Sequence, residues 1–506
     1  MNPHFDDRVR RIIPRWRDAA TTARLGELGP LRRGGRRFSA APLREKLADW
    51  IAEPSLFVAT DIVGTALLTR DEGSEGIVSD AAHAILGPDS GATTTARRAA
   101  ERVLHGAPSQ EFSTLVMTRP DIHRRIHDLR RALSSDPRNA IAWVDLAYLY
   151  TLVGQSPQAG EAMLMALRLA PESRHVLRSA TRFYVHNDAK DTALWLLRHS
   201  DRTEFDPWLM AAEIGVAGLI GTGSKFAKIG LALASSASFR ARDVTEMTAA
   251  IATLEAEHGN RRKAKRLFEI SLEDPNDNVL AQAAWAARAT QAVNVDPANL
   301  NVPFSFEARA RINFRNRNFR ESLREGEAWF NDQRFSVGAA AYTSYVAAVV
   351  LAQHERAITV LKEALVANPD DWTLRNNLAF SLASLGRVEE AKAEFRPLTE
   401  ESDSAARRGV WLATCGLLEF RSGAPAKGQQ LYNEAIAIFE KERLTTLRAL
   451  AAVFKAREEL HARLDTAPAA VEQARELVSK AQSPELETLI TQLNDGMPEQ
   501  LSLPVH

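Results

Sequence analysis

The stretch DPRNAIAWVDLAYLYTLVGQSPQAGEAMLMALRLAP, residues 136–171, decides the fold. Apolar residues recur at intervals of three and four on both sides of Gly154, and Pro171 closes the stretch. This spacing predicts two amphipathic helices joined by a tight turn. The residues that carry the pattern are Trp143, Leu146, Ala147, Tyr150, Ala159, Met163 and Ala166.

Each of these residue types has a mechanical role in such a helix pair. Small Ala147 and Ala159 let the two helices approach closely, while the larger apolar residues fill the space between them. Gly154 suits the left-handed end of the first helix, and Pro171 stops the second. The stretch resembles the tetratricopeptide (TPR) repeat, W-x2-L-G-x2-Y…A-x3-F-x2-A…P, over one period of 34 residues.

The pattern recurs along the chain in the same register. Residues 369–398 repeat it around Gly386, residues 409–437 around Gly423, and a further turn and second helix follow Gly259. The unit before residue 369 has Ala352 where the turn glycine is expected. Weaker copies occur at Tyr184–Leu197 and Trp208–Leu233, and a second-helix half at 122–137. Several matches in one register predict an array of about eight units, some degenerate.

The resemblance therefore implies an all-α fold, an α-solenoid in which TPR helix pairs form a right-handed superhelix of the bacterial stand-alone type. The array is predicted over 122–440, with an interruption at 291–304 that could be a hinge or a binding loop. Residues 41–121 are predicted to be a divergent helical cap, and 441–506 a C-terminal helical cap with a short tail. Residues 1–40 are rich in Arg and Gly and read as a basic, mobile arm.

Charge and cysteine content narrow the class of protein. The chain has 64 basic and 64 acidic residues, so no overall field recruits nucleic acid or anionic lipid. The balance is not even along the chain, since residues 1–50 have 12 Arg or Lys against 6 Asp or Glu. The single cysteine, Cys415, excludes an internal disulfide framework and fits a reducing, cytoplasmic location. No secretory signal is recognisable, and the uncharged run Phe335–His354 is predicted to be a buried helix rather than a membrane span.

Three features resemble catalytic or metal sites, and each has a simpler interpretation. In GLIGTGSK, Gly218–Lys225, Ser224 separates Gly223 from Lys225 and a helix precedes it, so a turn between repeat helices is favoured over a P-loop. His123 and His127 have metal-ligand spacing, but arginines surround them, which favours an exposed basic helix face. Cys415 falls at a tightly packed helix position, which favours a structural role over a reactive thiol. The pairs Asp370–Asp371 and Asp274–Asp277 precede helices and are predicted to cap them. We therefore predict no catalytic residue, no metal and no cofactor.

Binding is expected on the first helix of each pair, which a TPR superhelix presents to its concave groove. The resemblance places thirteen residues there: Val144, Tyr148, Thr151, Arg178, Arg182, Tyr342, Val346, Val349, Asn376, Phe380, Leu417, Phe420 and Arg421. Because Val144, Tyr148 and Phe380 stand where a carboxylate clamp would need polar groups, the groove is predicted to be apolar with a few arginines. Such a groove suits an amphipathic helix or a folded surface. The alternative is that these residues pack inside the superhelix or at a homodimer seam.

A second candidate surface is the stretch RARINFRNRNFR, which combines arginines with Phe314 and Phe319. Such a composition could contact RNA or an acidic peptide. Equally, both phenylalanines could belong to the core and leave the arginines solvated. The arginines of this possible basic patch are Arg309, Arg311, Arg315, Arg317 and Arg320.

These observations predict a non-enzymatic scaffold or adaptor that holds a partner protein in its groove. The partner could be an effector encoded nearby, and a homodimer is possible, whereas no membrane association is expected. The alternative function is an RNA-associated or regulatory helical-repeat protein that uses residues 309–320 and the basic arm.

Overall fold

The computed structural model describes residues 10–17, 41–68, 75–88, 90–92, 94–105, 119–234, 239–289, 293, 295, 297–399, 404–481 and 483–494. Within these residues the chain is helical and contains no strand, and successive helices pack as neighbours. The predicted all-α solenoid is therefore confirmed.

Four helices precede the array and surround their own apolar core. Leu47, Ile62, Val63 and Ile85 are among its buried residues. A fifth helix then leads into the first TPR-like pair. The five are α1 (Ala41–Ala52), α2 (Leu56–Leu68), α3 (Glu75–Leu86), α4 (Thr94–His105) and α5 (Arg119–Ser135).

The array begins at α6, and its helices pack mainly against their neighbours in the chain. Its first part, up to the interruption, contains α6 (Ala140–Leu152), α7 (Ser156–Leu169), α8 (Arg174–His186), α9 (Lys190–His199), α10 (Pro207–Ile220), α11 (Ala227–Ala234), α12 (Ala241–Glu257), α13 (Arg261–Ser271) and α14 (Asp277–Ala289). Its second part contains α15 (Phe306–Arg315), α16 (Phe319–Asp332), α17 (Val337–Tyr345), α18 (His354–Ala367), α19 (Trp372–Ser384), α20 (Val388–Phe395), α21 (Ala405–Arg421) and α22 (Pro425–Lys441). A further pair, α23 (Thr445–His461) and α24 (Ala467–Ala481), is followed by α25 (Pro484–Asn494).

Local sequence explains the best unit. Asn139 accepts a hydrogen bond from the backbone N–H of Ala142 and caps α6, and Trp143 Nε1 donates to the Pro137 carbonyl at 2.9 Å. Ala147 and Ala159 are fully buried at the interface between α6 and α7. Asp371 caps α19 in the same way, by accepting from the N–H of Leu374, as predicted for that carboxylate.

The turn inside each pair has a residue in the left-handed region. Glycine occupies it at Gly154, Gly221, Gly259, Gly386 and Gly423. In four further pairs the residue is not glycine: Asp188, Arg317, Ala352 and Arg463 have φ between 53° and 63°. The TPR-like turn geometry is thus retained where the consensus residue is missing.

Ala352→Gly is expected to raise the free energy of unfolding by about 1 kcal/mol, because the left-handed conformation is strained for alanine and not for glycine. Chemical denaturation would measure it. Glu363→Gly, in the exposed interior of α18, is the control and should lower stability by about 1 kcal/mol. A destabilised Ala352→Gly chain would contradict the strain at this turn.

The predicted interruption replaces one second helix. After α14 the chain forms a short 3-10 helix, Pro297–Asn301, and reaches α15 through Phe304, which has φ 62°. Helix α14 therefore lacks the second helix of a repeat pair and packs against α12 and α15. This arrangement lets α14 and the Phe304 ring contact the N-terminal residues described below.

The array curves back on itself, so that α18 contacts α6. A Cβ atom on Gly154 would lie 2.3 Å from the carbonyl oxygen of Val366, and Ala367 shares the apolar core of α6 and α7. The first helices between these two points therefore face a common, enclosed groove.

The apolar run from Phe335 to His354 is buried, as predicted. It forms α17, which continues into a π-helical turn at Val346–Val350 and then reaches the start of α18. Among the described residues, no helix has the length and apolar character needed to cross a membrane.

Candidate functional site

The groove contains a part of the chain itself. Residues 10–17, RRIIPRWR, here called the N-terminal segment, run along the first helices of the array and form neither helix nor strand. Ile12, Pro14 and Trp16 are buried, and the intervening residues are partly exposed. The prediction of a mobile arm is therefore wrong for residues 10–17, and residues 1–9 and 18–40 of that prediction lie outside the described residues.

Side-chain amides of the groove bind the main chain of the segment. Asn278 Nδ2 donates to the Ile13 carbonyl at 2.9 Å, and Gln282 Nε2 donates to the Arg10 carbonyl at 2.7 Å. Gln333 Nε2 donates to the Trp16 carbonyl at 3.3 Å. These contacts recognise an extended backbone rather than a helix, because a helix would use its carbonyls internally.

Gly215 of α10 lets the segment approach the helix closely. A Cβ atom at this position would lie 2.1 Å from the Ile12 carbonyl oxygen, too close for any real contact. Ile12 itself is 1% exposed and packs with Met210 and Ile214 of α10. The groove is thus shaped to the main chain of an extended polypeptide.

Trp16 fills an aromatic pocket formed by Tyr148, Phe183 and Phe335. The indole is fully buried, and its centroid lies 5.4 Å from the Tyr148 ring, 6.0 Å from Phe183 and 5.6 Å from Phe335. All three contacts are edge-to-face, which is the favoured geometry for aromatic pairs. Because α6, α8 and the residues before α17 each contribute one ring, the pocket exists only when the array closes.

Arginines of the segment pair with an acidic cluster formed by Asp277, Glu307 and Asp332. Arg10 binds Glu307 through two hydrogen bonds of 3.1 Å, and Arg15 also pairs with Glu307. Arg10 Nη1 donates to Gln282 Oε1 at 2.7 Å as well. Two guanidinium groups therefore share one buried carboxylate, a strong charge-assisted arrangement.

Arg17 completes the acidic cluster. It binds Asp332 through two hydrogen bonds of 2.6 Å and Asp277 through one of 2.8 Å, and its guanidinium lies 4.5 Å from the centroid of Phe304. Helix capping was predicted for Asp277, but its carboxylate is committed to Arg15 and Arg17. Just beyond this cluster, Arg11 pairs with Glu257 at 2.6 Å.

The pKa values follow from this pairing. Burial alone would raise the pKa of Glu307, but Arg10, Arg15 and Arg311 outweigh it and hold the pKa well below its usual value. Burial would also raise the pKa of Asp277, but Arg17 and Arg15 outweigh this effect and lower the pKa. Burial, with Arg15 nearby, lowers the pKa of Arg182 to about 10. Both carboxylates are therefore ionised across the neutral range.

The predicted groove residues of α6 and α8 lie around the segment. Tyr148 contacts Trp16, whereas Val144 is fully buried in the core and Thr151 donates to the Ala147 carbonyl. Arg178 pairs with Glu246 at 2.7 Å, and Arg182 lies 5.0 Å from the centroid of Phe335. Of these five, Tyr148 packs edge-to-face on Trp16 of the segment.

The other predicted groove residues lie further along the array, where they contact other residues of the array. Tyr342 donates to the Ala310 carbonyl at 2.8 Å, Val346 and Val349 are buried in the π-helical turn, and Asn376 accepts from Thr414. Phe380 packs on Phe454, Leu417 is fully buried, Phe420 lies against Gly428, and Arg421 pairs with Glu458 at 2.6 Å. A binding role for these eight residues stays a prediction.

The possible basic patch is divided between two environments. Arg309 pairs with Glu325, Arg311 pairs with Glu307 inside the groove, and Arg317 pairs with Glu487. Arg315 and Arg320 are exposed. Phe319 is buried and packs edge-to-face with Phe314, so both rings belong to the core. The five arginines do not form one continuous exposed surface.

The features that resembled enzyme sites occupy ordinary positions. Gly221 ends α10 with φ 79°, and Ser224 donates to Glu213 and accepts from the N–H groups of Phe226 and Ala227, so GLIGTGSK forms the turn predicted for it. His123 and His127 are exposed on α5, and Cys415 packs at the edge of the core. No cluster of three metal-ligating side chains occurs in the part of the chain that the structure describes.

The groove is acidic and aromatic where it holds the segment, so the prediction of an apolar groove with a few arginines is corrected there. The residues missed were Asn278, Gln282, Gln333 and the acidic cluster. A local signal existed for Glu307, which stands ten residues before the turn residue Arg317, as Arg178 stands ten before Asp188. Neither turn has a glycine to mark the register, which continues from the preceding unit at Arg178 but is lost at the interruption before Glu307.

A buried histidine should make stability depend on pH. His354 is 5% exposed, and burial together with Arg457 and Arg421 lowers its pKa to about 3. In the unfolded chain histidine binds a proton near pH 6.5, so acidification favours unfolding between pH 6.5 and about 3. This one group should remove about 1.4 kcal/mol of stability per pH unit in that window.

Denaturation of His354→Leu at several pH values would test it, with His123→Leu on exposed α5 as the control. Only the first substitution should flatten the dependence. Equal slopes for the wild type and both variants would contradict a neutral buried His354.

The paired helices, their left-handed turns and the occupied concave surface define a TPR-like helical-repeat protein. No protein-family model matches the chain, and no curated protein matches it. Among solved structures, one similar chain is described as "Crystal Structure of the Yeast Tom70". The two are 12% identical, the match covers 90% of this chain and 95% of that one, and the TM-score is 0.29. The fold assignment rests on the geometry of the chain itself.

Proposed function

We propose that this protein is a non-enzymatic scaffold or adaptor of the bacterial stand-alone TPR type, and that it holds a segment of a partner protein in its concave groove. One observation carries the proposal: the groove already holds an eight-residue polypeptide through main-chain and side-chain contacts. A surface that binds the chain's own segment has the chemistry to bind another.

The contacts favour protein over nucleic acid at this site. The acidic cluster would repel phosphates, and three of the five arginines proposed for RNA contact are paired with Glu307, Glu325 and Glu487. The RNA-associated alternative would therefore depend on Arg315, Arg320 and the basic arm. We place the protein in the cytoplasm, since its single cysteine suits a reducing compartment. A homodimer and an effector encoded nearby are further candidates for the partner.

A pair of glycine substitutions tests the role of the groove. Tagged full-length chain would be recovered from the cells that produce it, and stoichiometric partners identified by mass spectrometry. Gly215→Ala places a methyl group against the main chain of any groove occupant and should release the partner. Gly160→Ala on α7 is the control, because its Cβ atom would meet only Phe183, at 3.9 Å.

Loss of one stoichiometric partner with Gly215→Ala alone would support the proposal. Recovery of the same partner with both variants would place binding elsewhere. Recovery of RNA in place of protein would favour the alternative function.

A further inference from the structure

We propose that the N-terminal segment is an exchangeable occupant of the groove, and that the partner supplies an extended segment with the same chemistry: a buried aromatic residue flanked by arginines. This inference rests on the proposed function and specifies the partner's class. Residues 10–17 then compete with the partner for one site.

Charge determines the first requirement on the partner. Once the segment leaves, Asp277, Glu307 and Asp332 share one site, and Arg311 is the cation of the groove that stays paired with Glu307. Arg10, Arg15 and Arg17 supply three positive charges to these carboxylates. An occupant that lacks cations would remove the three positive charges that the segment supplies to these buried carboxylates, which is strongly unfavourable. An acidic or neutral segment is thereby disfavoured.

Shape determines the second requirement. The aromatic pocket surrounds Trp16 on three sides with rings at 5.4–6.0 Å, a space that a smaller side chain would leave partly empty. Planar aromatic side chains are the residues that most often dominate such contacts. Since Asp332 binds Arg17, the residue directly after Trp16, the aromatic residue should be followed directly by arginine.

The third requirement concerns the backbone. Asn278, Gln282 and Gln333 bind carbonyls of residues 13, 10 and 16, and these contacts are independent of side-chain identity. The occupant must therefore be extended over about eight residues. The segment contains no helix of its own, so it can leave without unfolding any element of the array.

Covalent attachment explains why the segment would mask the site. In the sequence, 23 residues separate Arg17 from the start of α1 at Ala41. A tether of this kind gives an effective concentration on the order of millimolar. A separate peptide with a dissociation constant below about 0.1 mM should then bind the intact chain at least about 10-fold more weakly than a chain whose segment is disabled.

Fluorescence anisotropy with a labelled peptide of residues 10–17 would test this. The proteins are the wild-type chain and the full-length double variant Arg15→Ala plus Arg17→Ala, whose groove is unchanged. We expect at least about 10-fold tighter binding to the double variant. A peptide of equal charge with Trp16→Ala is the matched control and should bind at least about 10-fold more weakly, because the pocket stays empty.

A second measurement uses the unaltered chain, in case the double variant does not fold. A peptide with a photoreactive phenylalanine at position 16 is added in excess and irradiated. Cross-links to Tyr148, Phe183 or Phe335 would support exchange. If no cross-link forms at a large excess of peptide, the segment stays permanently in the groove, and the proposal is overturned.

Each of the remaining outcomes supports or overturns this inference. Equal affinity for the two proteins, or for the two peptides, would overturn the proposed competition. If tagged copies of the chain co-purify and the peptide disrupts them, the occupant is a second copy and not a different protein. If a native partner is lost with Gly215→Ala but the peptide never binds, the proposed function stands and this inference fails.

Discussion

Replacing Trp16 by alanine is expected to lower the free energy of unfolding by about 3–5 kcal/mol. The indole is fully buried among three aromatic rings that come from distant parts of the array, so its loss removes contacts that join α6, α8 and the start of α17. If the segment detaches, the loss is limited to the free energy with which it docks. Chemical denaturation would measure the change.

Trp195→Ala provides the matched control. Trp195 is 59% exposed on α9 and stacks on His199, so its removal should change stability by less than about 1 kcal/mol. Similar losses for Trp16→Ala and Trp195→Ala would show that the segment does not join the two sides of the groove.

Glu307→Gln should have a comparable effect, about 3–5 kcal/mol, for an electrostatic reason. The carboxylate is 3% exposed and pairs with Arg10, Arg15 and Arg311. The amide leaves three guanidinium groups close together without their shared counter-charge. Glu321→Gln is the control, since Glu321 is half exposed and pairs with exposed Arg324, where little stability is at stake.

The same carboxylate should make the chain sensitive to acid. The pKa of Glu307 is lower in the folded chain than its value of 4.5 in the unfolded one, so its contribution is complete above pH 4.5 and is lost as the pH falls below it. Wild-type stability should therefore decline more steeply below pH 4.5 than that of Glu307→Gln. Parallel curves for the two proteins would contradict the buried pairing.

The repeat fold was predictable from sequence where its small residues and glycines are intact. Ala147, Gly154 and Ala159 specify α6 and α7 because close helix packing and a left-handed turn leave few alternatives. Turns at Asp188 and Arg317 have the same backbone geometry without glycine. Their helices are set by packing against neighbouring units, which no local pattern records.

The occupied groove was not predictable in this way. An arginine-rich N-terminus normally indicates a solvated arm, and the apolar residues Ile12, Ile13, Pro14 and Trp16 among the arginines were its only sign of burial. Asp277, Glu307 and Asp332 are widely spaced in the sequence and meet only because the array curves. Their pairing with residues near position 15 is a tertiary property with no local signal.

One measurement tests the central claim that the groove binds an extended polypeptide. In the structure this polypeptide is the N-terminal segment of the same chain. A photoreactive phenylalanine in place of Trp16 in the full-length chain would be irradiated at several protein concentrations and its cross-links mapped. The account predicts cross-links within one chain to Tyr148, Phe183 or Phe335, with a yield independent of concentration. Cross-links to other regions of the chain would contradict it.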